Sequence, residues 1–313
     1  MTVGRPELEA FLAALRADCS DPQAGLFGPR SWMWTVSRES ALFLGGGRAA
    51  LLQLAHPYVA TAVMHHSRTE GDLVGRFQRT FLHVFAMVFG DLESALGSAR
   101  RVFGLHQTIN GALEEAHGAL PAGHRYSAND EAALLWVHAT LTDTSLLMFE
   151  RCVRPLAADE REALYQDTRR FARLFGISDA LLPRDWPAFR RYFDETIQSD
   201  LLTVGDAGRR MGAFLLKPPN ARVAPLWRWY TAVTAGLLPE RLRAAFGLPW
   251  ARRDRLLCKA TLAAARATPL LPAQVRFVPA YLDARRRLRG LPTRDPVGAW
   301  AEKLVLKGMR QET

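Results

Sequence analysis

Between its proline and glycine breaks, almost every stretch of this chain repeats its apolar residues every three to four positions. That period constrains the fold most, because it gathers a buried stripe on a helix but scatters it over both faces of a strand. Start signals agree. Pro6, Pro57, Pro155, Pro225, Pro239 and Pro272 stand at the openings of such segments, where a missing N–H costs nothing. The periodicity predicts helices over 34–44, 57–66, 92–115, 183–199, 225–236, 239–246, 252–265, 272–289 and 297–306. Asp72 is placed to cap a helix running to Phe89. Ser127, with Asp130 three residues on, is placed to cap one running to Cys152. No run alternates as a strand does, and no segment repeats. The expected fold is all-α, a single large multi-helix domain. An N-terminal helix and loop (1–29) precede a helical core (30–250), and C-terminal helices (251–313) pack on that core.

A chain of 313 residues with 49% hydrophobic and 23% charged residues can build a sizeable core without covalent staples. Cys19, Cys152 and Cys258 lie far apart, with neither metal-ligand nor redox spacing, which fits reduced thiols. The first residues, Met1 to Glu7, show no secretory h-region. Apolar runs such as 81–90 are too short to span a bilayer, and His83 interrupts that one. A cytoplasmic location and no transmembrane segment are expected. The net charge of +10 invites an anionic partner. The arginines are spread along helices, however, and neither a helix-turn-helix nor a zinc pattern occurs, so no specific nucleic-acid binding is expected.

Eight histidines carry most of the remaining chemical information. His65, His66, His117 and His124 fall near helix ends or loops, where exposure or capping is the simpler role. His83 lies three residues after Thr80 and could share a cavity with it. His56 precedes Pro57, which disfavours a helical backbone and suits a corner fixed by a side-chain bond. His106 and His138 each fall within an apolar helical pattern. His106 has Val102, Phe103 and Ile109 around it; His138 has Leu134, Leu135 and Leu141, with Thr142 one turn on. An imidazole on an apolar wall with cations nearby is what a haem pocket needs: one nitrogen for iron, the wall for the porphyrin, the cations for propionates. On these grounds His106 is marginally the better ligand and His138 the alternative. A di-iron bundle needs paired Glu-x-x-His elements, and only Glu114 with His117 has that spacing. Gly45-Gly46-Gly47-Arg48 lacks the Lys-Ser/Thr of a phosphate loop and reads as a flexible helix junction, with Arg48 available to an anion.

Several elements occur together in a telling order. They are Arg48 to Pro57, Arg76-Phe77-Gln78-Arg79-Thr80, His106 to Gly111, Tyr126 to Asp130 running into Leu135 to Thr140, Pro155-Leu156, and Thr234 to Pro239. In this order the chain resembles the oxygenase family that joins the MpaB-type proteins and the catalytic domain of the latex-clearing rubber oxygenases. The resemblance spans about residues 30 to 250. It implies an all-helical fold and b-type haem held by one proximal histidine, here His106. It places Arg76 and Thr80 in the haem surroundings. Arg79 stands where the rubber enzymes carry a lysine that reaches the distal iron face. A forked, permanently charged guanidinium suits a hydrogen bond to bound oxygen or to a propionate better than ligation. The family's upstream acid has no counterpart at its spacing; Glu70 and Asp72 are the nearest. The resemblance thus implies a haem b-dependent oxygenase that uses O2 on an apolar or lipophilic small molecule. His106 (alternative His138) would ligate iron, Arg76 and Arg48 would meet propionates, and Thr80 and Arg79 would line the distal side. The rival expectation is a non-catalytic helical haem- or lipophile-binding protein.

Overall fold

The computed structural model describes residues 2–66, 73–118, 120–218 and 220–292, with the backbone alone for 73–79. Fifteen α-helices account for most of these residues. The first eight are α1 (Arg5–Ala17), α2 (Trp32–Ser37), α3 (Gly46–Leu54), α4 (Pro57–His66), α5 (Leu73–Phe89), α6 (Leu92–Gln107), α7 (Glu131–Cys152) and α8 (Ala158–Arg173). The rest are α9 (Trp186–Gln198), α10 (Asp206–Leu215), α11 (Ala224–Leu237), α12 (Glu240–Ala245), α13 (Arg252–Ala265), α14 (Ala273–Arg276) and α15 (Pro279–Arg287). The all-α expectation holds. One small antiparallel hairpin interrupts it: β1 (Asn110–Ala112) pairs with β2 (Arg125–Ser127), Gly111 opposite Tyr126.

That hairpin corrects the expected helix over 92–115. The α6 helix stops at Gln107, so His106 lies in its last turn rather than mid-helix. The hairpin that follows is built around Gly111, where a Cβ would stand 2.9 Å from the Tyr126 hydroxyl and 3.0 Å from its ring. Only glycine lets the ring lie flat across β1. The cap of α7 is likewise Asp130, whose carboxylate accepts from Ala133 N at 3.0 Å, while Ser127 ends β2. The stretch expected as one helix over 34–44 is α2 followed by a 3-10 turn, Ser40–Gly45. The stretch over 272–289 breaks at Pro279 into α14 and α15, since a proline there has no N–H to continue the first helix. The Asp72 cap and the helix over 297–306 lie outside the described residues.

Two apolar clusters meet across α7. One gathers Leu8, Leu12 and Leu15 of α1, Trp34 of α2, Phe89 of α5, Leu96 and Phe103 of α6 and Phe171 of α8. The other gathers Leu51 and Leu52 of α3, Trp136 of α7, Tyr165 of α8 and Phe189 and Phe193 of α9. Each buries an indole whose N–H is satisfied: Trp34 donates to Val88 O at 2.7 Å and Trp136 to Leu52 O at 2.9 Å. Burial of this kind carries most helix stability, because isolated helices of these lengths are marginal in water.

Helix α7 is long and apolar enough to cross a membrane by length and composition, which no run noted in the sequence was. Within the fold, 72% of that apolar window is buried. It is therefore the central core helix, hydrophobic on several sides because neighbours cover several sides. The glycines before α3 serve the same close packing. A Cβ on Gly45 would stand 2.6 Å from Thr144 of α7, and one on Gly47 would stand 2.2 Å from the Thr234 hydroxyl of α11. Gly45 to Gly47 are thus a point of close helix approach, not a flexible junction.

Candidate functional site

A cavity of about 230 Å³ lies between the two clusters. On α7, Leu134, Val137, His138 and Leu141 share one stripe at helical spacing and form one wall. Ala50, Gln53 and Leu54 of α3 form a second, and Tyr58, Val59, Ala62 and Val63 of α4 a third. Thr80, His106 and Ile109 come from α5, α6 and the strand entry; Phe171, Phe175, Met211 and Leu215 complete the enclosure. The lining is mostly apolar, with imidazole, hydroxyl and amide groups at a few points, as in small-molecule sites generally.

The two histidines singled out by sequence face this one cavity from different helices, and Thr80 joins them. His138 is buried, and burial pushes its pKa down to about 4, so the ring is neutral at pH 7. Its Nε2 lies 3.5 Å from the Thr142 hydroxyl, a contact at the limit of a hydrogen bond. Its Nδ1 is buried without a hydrogen-bond partner. The ring stacks on Phe171 at 6.3 Å between centroids. His106 is half-buried at the end of α6, and its carbonyl accepts from Ile109 N at 3.0 Å, which turns the chain into β1.

Other expected residues fall elsewhere. Arg48 does not line the cavity. Its guanidinium is buried between α3, α7 and α11, donating to Leu237 O at 2.9 Å, to the Thr144 hydroxyl at 2.5 Å and to Asp143 Oδ2 at 2.7 Å. Arg190 of α9 takes the other oxygen of Asp143. A guanidinium so engaged has no fork left for a propionate, and the expectation of Arg48 as an anion anchor gives way to a structural role. The side chains of Arg76 and Arg79 lie outside the described residues. His83 sits half-buried on α5 and is not in the cavity lining. His56 does what its place before Pro57 implies: Tyr58 N donates to its Nδ1 at 3.3 Å, and burial takes its pKa down to about 4.

Glu114 and His117 do not act together. Glu114 accepts from His65 Nε2 at 2.8 Å, while His117 lies buried with Nε2 3.6 Å from Glu115. With Nε2 donating, His65 Nδ1 accepts from the Tyr126 hydroxyl at 3.3 Å. This Glu114–His65–Tyr126 chain stands behind Tyr58, whose ring lies 6.2 Å from that of Tyr126. Among the described residues no cluster of three His, Cys, Asp or Glu could hold a metal ion, so the helical di-iron arrangement has no counterpart there. Gln53, Tyr58 and Ser127 also reach the cavity. The α4 residues Tyr58, Val59, Ala62 and Val63 do carry a sequence signal, a one-face pattern of i, i+1, i+4 and i+5. Gln53 and Ser127 show no such pattern, though both fall inside the segments that carry the family resemblance.

The lining can hold a neutral, apolar molecule and sets imidazoles from two helices against it. Two uncharacterized mycobacterial proteins, one from Mycobacterium bovis and one from Mycobacterium tuberculosis, are each 25% identical over 219 residues, covering 66% of this chain and 80% of the relative. No solved structure gives a significant match. The family described as ER-bound oxygenase mpaB/B'/rubber oxygenase, catalytic domain, matches residues 33–267, which takes in every wall of the cavity. The chain belongs to that oxygenase family.

Proposed function

We propose that this chain is a haem b-dependent oxygenase acting with O2 on an apolar or lipophilic small molecule. The observation that carries the reading is one apolar cavity holding two imidazoles, one of them neutral with a buried, unpartnered nitrogen. That donor set fits haem, which needs one imidazole and an apolar wall rather than a cage of carboxylates. His106 is assigned to the iron, Arg76 to a propionate, and Thr80 with Arg79 to the opposite side. Haem so held would supply the binding and activation of O2. The chain's own part is to exclude water, to hold an apolar substrate against Leu134, Val137 and Leu141, and to offer the Thr80 hydroxyl as a hydrogen-bond donor. About 230 Å³ is less than most small-molecule sites enclose, so a porphyrin requires unbranched or flexible wall residues such as Met211 and Leu215 to swing outward. Three free cysteines, two of them buried, support the cytoplasmic location that goes with this proposal.

A second assignment keeps the chemistry and exchanges the ligand: the orphaned Nδ1 of His138 favours that residue as the iron ligand. Absorption spectra and a pyridine haemochrome assay on the purified protein, on His106→Ala and on His138→Ala test both. The expected result is a b-type Soret band lost in His106→Ala and kept in His138→Ala. The reverse pattern moves the ligand to His138. Failure of the wild type to take up haem refutes the reading, and haem without substrate-dependent oxygen consumption leaves a non-catalytic haem-binding protein.

A further inference from the structure

We propose that residues 252–275 form a docking element for an anionic phospholipid surface. On α13 the inward face is settled by its contacts. Asp254 and Cys258 are buried, the Thr261 hydroxyl accepts from Trp229 Nε1 at 2.8 Å, and Leu262 and Ala265 pack on the Met148 and Val233 cluster. The outward stripe, Leu256, Ala260 and Ala263, follows at spacings of four and three, and all three are exposed. An ordinary surface helix turns polar groups outward along that stripe. Here it is apolar and edged by cations: Arg252 and Lys259 on one side, Arg253 on the other.

Arg255 and Arg266 are exposed as well. Among the described residues, none of Arg252, Arg255, Lys259 and Arg266 forms an ion pair, and Arg253 reaches only the buried Asp254, at 3.7 Å. The chain then continues into further exposed apolar side chains, Leu270 at 86%, Leu271 at 43% and Val275 at 59%, with Leu256 itself at 59%. Exposed apolar side chains edged by cations that, Arg253 apart, have no carboxylate partner among the described residues, on a chain of net charge +10, are the chemistry of a helix lying in a headgroup layer. A nucleic acid would engage the cations but leave the leucines in water. The leucines therefore decide for lipid. This inference does not depend on haem.

Co-sedimentation of the full chain with vesicles tests it, comparing phosphatidylglycerol–phosphatidylcholine mixtures with pure phosphatidylcholine at low and high salt. The protein is expected to pellet with the anionic vesicles alone and to be released by salt. Lys259→Gln with Arg266→Gln is expected to weaken partitioning about 25-fold, roughly fivefold per cation. Leu256→Ser with Leu270→Ser is expected to weaken it about tenfold, with circular dichroism and Tm unchanged because both side chains are exposed. No pelleting on anionic vesicles overturns the proposal, and so does pelleting that the leucine pair does not affect. Binding to duplex DNA without binding to vesicles would assign the cations to nucleic acid.

Discussion

Asp143→Asn is the substitution that most directly separates structure from ligand binding in this fold. Asp143 and Arg48 are each 5% exposed, and the carboxylate bridges two arginines, Arg48 from α3 and Arg190 from α9. Burial lowers the pKa of Arg48 from its ordinary value, with Asp143 opposing that shift, so the guanidinium depends on this partner for its charge compensation. The amide keeps the shape but removes the charge and turns one oxygen into a donor facing a donor. Breaking a buried pair from one side costs about 3–5 kcal/mol, most of it the stranded charge. At roughly 2 °C per kcal/mol for a chain of this size, Tm is expected to fall by about 6–10 °C. The paired change Arg48→Met with Asp143→Leu removes both charges and is expected to recover most of that loss. Thermal and urea unfolding followed at 222 nm, with haem uptake measured on the same samples, give the readout. A fall in Tm below about 2 °C, or haem uptake that drops while stability holds, would refute the structural assignment of Arg48 and restore it as an anion anchor.

Acid destabilisation is expected from His56 and His138. Burial lowers both to about 4, well below the unfolded value of 6.5. The unfolded chain therefore binds the extra protons first, so their contribution is fully present above pH 6.5 and is lost as pH falls through 4. Each amounts to about 3 kcal/mol at the acid limit, and His138→Leu is expected to reduce the slope of Tm between pH 6.5 and 4; an unchanged slope counts against a neutral, buried ring. Gly111→Ala is expected to cost about 1–3 kcal/mol by pushing the Tyr126 ring off β1, read as a lower urea midpoint and loss of the Tyr126–His65 hydrogen bond by NMR. A midpoint equal to wild type would show that the ring can give way freely.

Much of the fold is legible in the sequence because helix formation is a local matter. The period of the apolar residues and the prolines at helix starts act within a turn or two of themselves, and α13 occupies the residues that periodicity assigned to it, 252–265. The corner at His56–Pro57 is local in the same sense. The candidate histidines are legible too, since an imidazole among leucines is unusual wherever the helix goes. What tertiary structure decided is which of these local features converge. Arg48 has the charge of an anion site, but packing of α3 on α7 buries it against Asp143, almost a hundred residues away in the chain. Glu114 has the spacing of a di-iron ligand, but β1 and β2 turn it to His65. His106 and His138 face one cavity only because α6 and α7 frame it from different sides. Helical periodicity fixes which face of each helix is buried. It does not say against what, because that depends on long-range contacts no local pattern encodes.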